Sequence, residues 1–295
     1  MQARVLPLTR GIFWLVAGVQ IYRRNPPLLS MLTFANMLLV LVCSQLQPIG
    51  PFLLLLISPL VVALIANACA ATAEHGVLQI SPPMLLRGFR ERAPLLLRLG
   101  VLQMFYVLLV VVVFDQILPE VDANLLLGAR DAAGAAGAAG ATGEAADAAR
   151  AAVRLDPAQL ALLFMHLGAI AAVVLPAFWF APLLTAWHGV PPLKSIFFSF
   201  VAVVRNWRAF LAYVAAAAML GVLLPTLLLS LVVLISGTVG GVFATVLQLL
   251  LLLVFAPVLM TGSYCGYRDI FATSTAAVDE VTDAEDGGDD PAAND

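Results

Sequence analysis

Long stretches without a single basic residue most constrain what this chain can fold into. Six apolar runs recur along the 295 residues, and none of them contains Lys or Arg. Each has about 20 residues, enough for a helix to cross a hydrocarbon core of roughly 30 Å. Because a backbone amide in hydrocarbon needs an internal partner, and the runs lack the alternation of barrel strands, helix is the expected conformation. The sequence predicts an all-α, polytopic transmembrane bundle.

Composition agrees with lipid as the main solvent. Hydrophobic residues make up 62% of the chain and charged residues 11%, with a mean hydropathy of +1.00, whereas soluble domains are about half apolar and a quarter charged. Asp115 is the only carboxylate within the runs. The predicted spans are residues 28–46, 51–73, 99–118, 160–186, 210–235 and 241–262.

Basic residues fall mainly on one side of this topology. Of the 15, only Arg130, Arg150 and Arg154 fall on the other side, in one long loop. The positive-inside rule makes the basic side cytoplasmic and places both termini there. We therefore expect a multi-pass protein of the bacterial inner (plasma) membrane. The basic side receives Arg4, Arg10, Arg23, Arg24, Arg87, Arg90, Arg92, Arg98, Lys194, Arg205, Arg208 and Arg268.

Three segments outside the spans complete the predicted organisation of a membrane domain over 1–271. Residues 11–22 are too short to span and are followed by Arg23 and Arg24 in place of a cleavage site, so an interfacial helix is expected there and not a signal peptide. Residues 119–157 form a long extracytoplasmic loop with a low-complexity Ala/Gly-rich segment. Residues 272–295 are acidic and predict a disordered cytoplasmic tail.

An internal repeat relates the ends of the inward spans. Residues 72–77 read TAEHGV, residues 185–190 read TAWHGV, and residues 261–266 read TGSYCG, with Thr kept in all three copies. Each outward span follows a basic segment, RRNP at 23–26, RERAP at 90–94 and VRNW at 204–207. The pattern predicts three units, each an interfacial helix followed by a two-helix hairpin, related by an axis along the membrane normal.

Candidate residues for a cytoplasmic-face site come from this motif: Glu74, His75, His188 and Tyr264. Two histidines beside a carboxylate can bind a metal or relay a proton. The alternative is structural, since His-Gly at a helix end supplies a left-handed cap and an imidazole for the last carbonyls. The capping interpretation is preferred, and no catalytic residue, metal or cofactor is expected. Cys43, Cys69 and Cys265 lack metal-binding spacing.

Signatures of enzymes and of ion-driven transporters are missing from the sequence. It contains no nucleophile elbow, P-loop or HExxH motif, and no mid-membrane carboxylate, Lys or Arg of the kind that ion-coupled carriers use. The polar residues within spans, Asn36, Asn67, Gln103 and Gln248, are equally suited to joining helices.

We therefore expect a non-catalytic protein that acts through lipid or protein contacts. Its partners would be the bilayer and anionic lipid headgroups at the cytoplasmic face, with no nucleic-acid partner. A small-molecule or lipid permease is the alternative, and a membrane-embedded enzyme is a third hypothesis. An enzyme would require Glu74, His75 and His188 to cluster within ligand or hydrogen-bond reach.

A few short motifs carry a family resemblance over roughly residues 11–271. They are Trp14, Arg24-Asn25-Pro26, Phe180-Ala181-Pro182 and Phe255-Ala256-Pro257. With the six spans, they resemble a family of bacterial six-helix integral membrane proteins grouped as a domain of unknown function. The pattern is more loosely similar to the membrane domain of some glycerophosphodiester phosphodiesterases. The catalytic barrel of those enzymes is absent from this sequence, so the resemblance implies the membrane fold and no activity.

Overall fold

The computed structural model describes residues 4–75, 82–86, 89–117 and 157–271, and over these residues the chain is helical with no β-strand. Residues 118–156, which hold nearly all of the predicted outer loop, and the acidic tail 272–295 lie outside the described residues. The helices are α1 Thr9–Arg24, α2 Pro26–Gln45, α3 Ile49–His75, α4 Pro82–Leu85, α5 Phe89–Ile117, α6 Pro157–Phe178, α7 Ala181–His188, α8 Pro192–Arg205, α9 Trp207–Ala218 and α10 Leu224–Phe271.

Five helical segments are long and apolar enough to cross a membrane: Pro26–Gln45, Ile49–His75, Glu91–Phe114, Ala161–His188 and Trp207–Leu228. They coincide with the first five spans predicted from sequence. Asn25 begins the first of them, because its side-chain oxygen accepts a hydrogen bond from the Leu28 amide at 3.3 Å and Pro26 occupies the first turn. The prediction of an all-α membrane protein is confirmed.

The predicted spans 210–235 and 241–262 require a turn at residues 236–240, and the structure assigns this stretch to α10 without a break in the helix. The chain nevertheless reverses direction, because the Tyr213 hydroxyl donates to the carbonyl of Leu259 at 2.6 Å, whereas a straight helix would hold these residues about 69 Å apart. The intervening sequence contains Gly and Ser but no proline and no charge, and a helical glycine costs only about 1 kcal/mol relative to Ala. In hydrocarbon, leaving the helix would cost more, because backbone groups would lose their partners. The structure therefore does not delimit a sixth span, and the six-span count stays a prediction.

The helices are irregular at two positions that lie next to prolines. The fourth span is broken at Trp179 and Phe180, between α6 and α7, because Pro182 cannot donate a hydrogen bond to the carbonyl of Phe178. A π-helical turn, Met219–Leu223, joins α9 to α10 just before Pro225. Pro257, in contrast, lies inside the continuous α10. The chain thus departs from regular α-helix next to Pro182 and Pro225.

The chain divides into two units within α5 and α6. The first unit comprises residues 1–104 and 176–295, and its described core is rich in aromatic rings. Trp14, Trp179 and Phe180 each approach the Phe210 ring, at centroid distances of 5.3, 5.5 and 5.6 Å. These edge-to-face contacts stabilise the core beyond simple burial.

The second unit comprises residues 105–175 and is described only where α5 and α6 pass through it. The Tyr106 hydroxyl donates to the carbonyl of Val173 at 3.3 Å, which joins the two helices. His166, the lone histidine of the fourth predicted span, lies in this unit. Its Nδ1 atom is buried without a hydrogen-bond partner among the described residues.

The first helix packs against the last. Thr261 of α10 donates its hydroxyl proton to the carbonyl of Gly18 in α1 at 2.9 Å, and the Arg4 amide donates to the carbonyl of Ile270 at 3.2 Å. Glycines at 18 and 262 let the two backbones meet, as small residues do at helix interfaces in membranes. Helix α1 is therefore packed as part of the bundle.

Candidate functional site

A cavity of about 550 Å³ lies in the first unit, near the ends of α3 and α7 and beside the last turns of α10. All three copies of the repeated motif contribute to its wall. The lining residues are Asn67, Ala70, Ala71, Glu74, His75, Met84, Arg92, Ala186, Trp187, Tyr264 and Arg268.

Three of the four candidate residues lie on this wall. Glu74 and His75 come from the end of α3, with 3.8 Å between the Glu74 Oε2 and His75 Nε2 atoms. Tyr264 comes from α10 and is 5% exposed. The structure thus places Glu74, His75 and Tyr264 on one cavity wall. In the sequence, only the repeated motif related these positions.

His188, the fourth candidate, does not line the cavity. Its ring stacks on Tyr267 with 6.4 Å between centroids. Gly189 follows in a left-handed conformation with φ of 63°, and its amide donates to the carbonyls of Leu184 and Thr185. This cap agrees with the structural interpretation of the motif at this copy. Gly76, the matching residue of the first copy, lies outside the described residues.

The threonine that begins each copy of the motif is fully buried. Thr72, Thr185 and Thr261 are each 0% exposed. The Thr185 hydroxyl hydrogen-bonds to the Ser195 hydroxyl at 3.0 Å, and the Thr261 hydroxyl donates to Gly18. The Thr72 hydroxyl has no partner among the described residues. The repeat is therefore matched by burial, although each copy uses its threonine differently.

Two arginines occupy matching positions relative to the motif. Arg24, two residues before Pro26, donates to the carbonyl of Ala73 at 2.6 Å. Arg92, two residues before Pro94, donates to the carbonyl of Ala186 at 2.9 Å. Both acceptors are the second residue of the motif, among the carbonyls that a helix end leaves without an intrahelical partner. Arg92 differs from Arg24 in that it also lines the cavity.

Trp187 and Asn67 close the inner part of the cavity. The Trp187 indole N–H donates to Asn67 Oδ1 at 2.7 Å, and Asn67 Nδ2 donates to the carbonyl of Leu85 at 2.9 Å. The Trp187 ring meets Tyr264 edge-to-face at 6.0 Å. Sequence reasoning singled out Asn67 only as a polar residue within a span. Trp187 could have been identified from the sequence as a candidate, because it aligns with Glu74 in the repeated motif.

The charge on the cavity wall is predominantly positive. Arg92 and Arg268 contribute two guanidinium groups against the single carboxylate of Glu74, and among described residues neither arginine has a carboxylate within ion-pair distance. Arg268 lies over the Tyr264 ring at 5.9 Å. Burial raises the pKa of Tyr264 and outweighs the opposing effect of Arg268, so the phenol stays protonated at neutral pH. Sequence reasoning had assigned both arginines to topology alone.

A second charged cluster joins the two ends of the described chain. The Asp269 carboxylate accepts hydrogen bonds from Arg10 Nε at 2.9 Å and Arg10 Nη2 at 2.6 Å, and from the Trp14 indole at 2.9 Å. Partial burial raises the pKa of Asp269, but the bonds from Arg10 and Trp14 and the charges of Arg10 and Arg4 hold it below its usual value. These groups satisfy one another, which indicates a structural role.

No group of three His, Cys, Asp or Glu side chains in the described ranges is arranged to hold a metal ion. Cys43 and Cys69 are buried, Cys265 is half-buried, and none forms a disulfide. What the cavity offers is a concave surface with guanidinium, imidazole, phenol and indole groups. Such a surface is suited to binding an anion.

Comparison with known proteins agrees with a membrane location. A Burkholderia thailandensis protein named as a "probable inner membrane protein" is 28% identical over 291 residues, which is 97% of this chain and 100% of the relative. No family model matches the chain, and no solved structure matches it. The comparisons thus give no support for the similarity to the membrane domain of glycerophosphodiester phosphodiesterases. Together with the five candidate spans, they make the chain a multi-pass inner-membrane protein.

Proposed function

We propose that this inner-membrane protein is non-catalytic and acts through lipid contacts at its cytoplasmic face. The observation that carries the proposal is a pair of amphipathic helices, α1 and α8, each packed on the bundle by one side. Each also presents an uncovered apolar side and leads into a candidate span. A helix with this arrangement lies in the membrane interface, with its apolar face among the acyl chains.

Helix α8 illustrates the pattern. Ser195, Ser199 and Ala202 are 0% exposed and face the bundle. The opposite side carries Leu193, Phe197, Phe200 and Val204, which are 41–71% exposed and spaced as one helical stripe. Arg205 ends the helix, at the level where a cation meets anionic headgroups.

Helix α1 repeats this design. Gly11, Trp14, Leu15 and Gly18 are buried, while Ile12, Phe13, Val16 and Val19 are 39–60% exposed. Arg23 and Arg24 occupy its last turn. Two helices from different parts of the chain thus have an apolar outer side and a basic end, which supports contact with an anionic leaflet as their shared role.

The finer topology belongs to the same proposal. We propose six spans with both termini in the cytoplasm, the sixth formed by residues 241–262 of α10. The Tyr213 hydroxyl donates to the carbonyl of Leu259 at 2.6 Å, and this contact between residues on either side of 236–240 supports two antiparallel spans there. The basic residues near Asn25, Pro94 and Asn206 support the cytoplasmic assignment.

The threefold repeat is also proposed. Its support is the matched pair of bonds from Arg24 and Arg92 to the second residue of successive motifs, together with the three buried threonines. In the third unit, Arg205 stands at the matching position but is exposed. Asn206 beside it accepts from the Leu6 amide at 2.8 Å and donates to the carbonyl of Arg4. The proposed third unit has therefore diverged where it meets the amino terminus.

The alternative function, a permease, requires a polar path to the bilayer midplane. The cavity favours contact over transport because it is shallow. Asn67, at its inner end, precedes His75 by eight residues, which is about 12 Å along a helix, and half of the hydrocarbon core is about 15 Å. Beyond Asn67, α3 buries Ala63, Ile65 and Ala66, an apolar packing that supports a closed bundle.

A deletion strain tests the proposal. We expect its membrane lipid composition to differ from wild type, with unchanged uptake and efflux across a metabolite panel. A Leu193→Glu/Phe197→Glu variant, which interrupts the stripe on α8, should insert but fail to restore the lipid profile. Leu193→Met/Phe197→Leu, which keeps the stripe apolar, is the matched control and should restore it. A transport defect with normal lipids would contradict the proposal and favour the permease.

A further inference from the structure

Within the part of the chain that the structure describes, no carboxylate forms an ion pair with the two arginines of the cavity. Arg92 uses one N–H for the carbonyl of Ala186 at 2.9 Å, which anchors its guanidinium and leaves the rest of the fork available. Arg268 is exposed and rests over Tyr264. Glu74, the carboxylate on the wall, lies beside His75 and not within ion-pair distance of either arginine. The two guanidinium groups on the wall can therefore bind an anionic ligand.

The shape of the cavity indicates the size of that anion. A volume of about 550 Å³ falls within the range of small-molecule sites and exceeds the need of a bare inorganic ion. Ala70, Ala71 and Met84 provide an apolar wall next to the arginines. Trp187 and Tyr264 provide amphipathic rings of the kind found at headgroup level. A charged group attached to an organic body fits these surfaces best.

We propose that this cavity binds a phosphate ester, with the phosphate between Arg92 and Arg268 and its organic part against Ala70, Ala71 and Met84. Planar guanidinium groups pair with phosphate oxygens through two parallel hydrogen bonds, which favours phosphate over a simple halide. The inference rests on the proposed lipid-contact function, and it names the ligand chemistry of one site within it. The phosphate can belong to a phospholipid headgroup or to a soluble ester.

Substitution of Glu74 should change the binding affinity in the direction opposite to substitution of the arginines. Its carboxylate shares the wall with both arginines and repels a bound phosphate. Glu74→Gln should therefore strengthen binding, about threefold, whereas loss of an arginine should weaken it. A purely structural role for these residues predicts no gain of affinity for any substitution.

The experiment uses the full chain purified in detergent and compares binding of phosphatidylglycerol, phosphatidylcholine and glycerol phosphate by native mass spectrometry. Arg268→Gln and Arg92→Gln/Arg268→Gln should each bind the phosphate ester about tenfold or more weakly, as expected for loss of a charge-assisted hydrogen bond. Arg208→Gln is the charge-matched control. It removes an exposed arginine that lies over the Trp207 ring at 5.5 Å and does not line the cavity, so binding should be unchanged. Thermal denaturation of every variant verifies folding, and Arg268→Gln alone suffices if Arg92→Gln unfolds.

The outcomes separate the two sources of phosphate. Binding of phosphatidylglycerol without glycerol phosphate assigns a lipid headgroup, and competition by glycerol phosphate assigns a soluble ester. Equal binding by wild type and Arg268→Gln would overturn the inference, as would weaker binding by Glu74→Gln. In either of those cases, a lipid change in the deletion strain would leave the proposed function standing on α1 and α8. An unchanged lipid profile in the deletion strain, together with arginine-dependent binding of the phosphate ester, would contradict the proposed function and support the binding site.

Discussion

Glycine at position 18 decides how closely α1 can approach α10. A Cβ atom built there would lie 2.7 Å from the Gly262 amide nitrogen and 2.8 Å from the Val258 carbonyl oxygen. Both neighbours are backbone atoms, which cannot rotate away. Gly168 in α6 is the opposite case, because a Cβ atom there meets nothing within 4 Å.

The same substitution should therefore have opposite effects at the two sites. Gly18→Ala should lower the free energy of unfolding by about 1–3 kcal/mol, the usual cost of overpacking. Gly168→Ala should raise it by up to about 1 kcal/mol, because Ala is the better helix former. Unfolding in mixed micelles by added denaturing detergent measures both. Equal effects of the two substitutions would contradict the packing of α1 on α10.

The Asp269 cluster predicts a dependence of stability on pH. Because the pKa of Asp269 is lower in the folded protein than its ordinary value, its contribution is complete above the ordinary carboxyl pKa. It is lost as pH falls through the folded value. Asp269→Asn should be less stable than wild type at pH 7, and the difference should shrink as pH falls from about 5 towards 3. Melting temperatures of the two proteins, compared at each pH, cancel the titration of other carboxylates. A constant difference across this range would be incompatible with an ionised Asp269.

At this scale, the sequence identified individual residues through repetition and missed those that act through contact. Glu74, His75 and Tyr264 could be singled out because the motif recurs, and they do share a cavity. Arg92 could not, because an arginine near a span end is also what membrane topology alone requires. His188 matched His75 in the sequence but not in place, because its ring stacks on Tyr267 while Ala186 and Trp187 of the same copy line the cavity.

At the scale of whole helices, apolar length was a reliable guide and turns were not. Hydrocarbon imposes helix on any long uncharged run, so five spans could be located, with bounds that differ by up to eight residues. A turn is specified by local chemistry. Proline supplied that chemistry at Pro182, where the helix breaks. Glycine and serine at 236–240 do not break the helix assignment of α10.

Ser199 of α8 stabilises the break between α6 and α7. Its hydroxyl donates to the carbonyl of Pro176 at 2.8 Å and accepts from the Phe180 amide at 2.9 Å. Ser199→Ala would leave both backbone groups without this partner in a buried place, and should cost about 1–3 kcal/mol or more of unfolding free energy. Ser44→Ala in α2 is the control. That side chain is exposed and its hydrogen bonds among the described residues stay within its own helix, to the Leu41 carbonyl and from the Gln45 side-chain amide, so its loss should cost less than about 0.5 kcal/mol. Comparable costs in the two variants would argue against this role of Ser199.

For the molecule as a whole, the number of crossings determines where the acidic tail resides. Reporter enzymes fused after Gly140 and after Asp295 distinguish the possibilities. Six spans place the two fusion points on opposite sides of the membrane, and five spans place them on the same side. We expect alkaline phosphatase activity after Gly140 and green fluorescence after Asp295. Periplasmic activity at both points would establish five crossings and place the carboxyl terminus outside.

The contact between α1 and α10 has a consequence for how the protein is made. Arg10 and Asp269 are 259 positions apart, so α1 leaves the ribosome long before the part of α10 that it packs against. During that interval, the apolar side chains of α1 need a non-aqueous environment, which the membrane interface provides. Removal of the last turns of α10 should therefore leave α1 without its packing partner, even though the preceding sequence is unchanged. Quality-control proteases would then degrade the truncated protein.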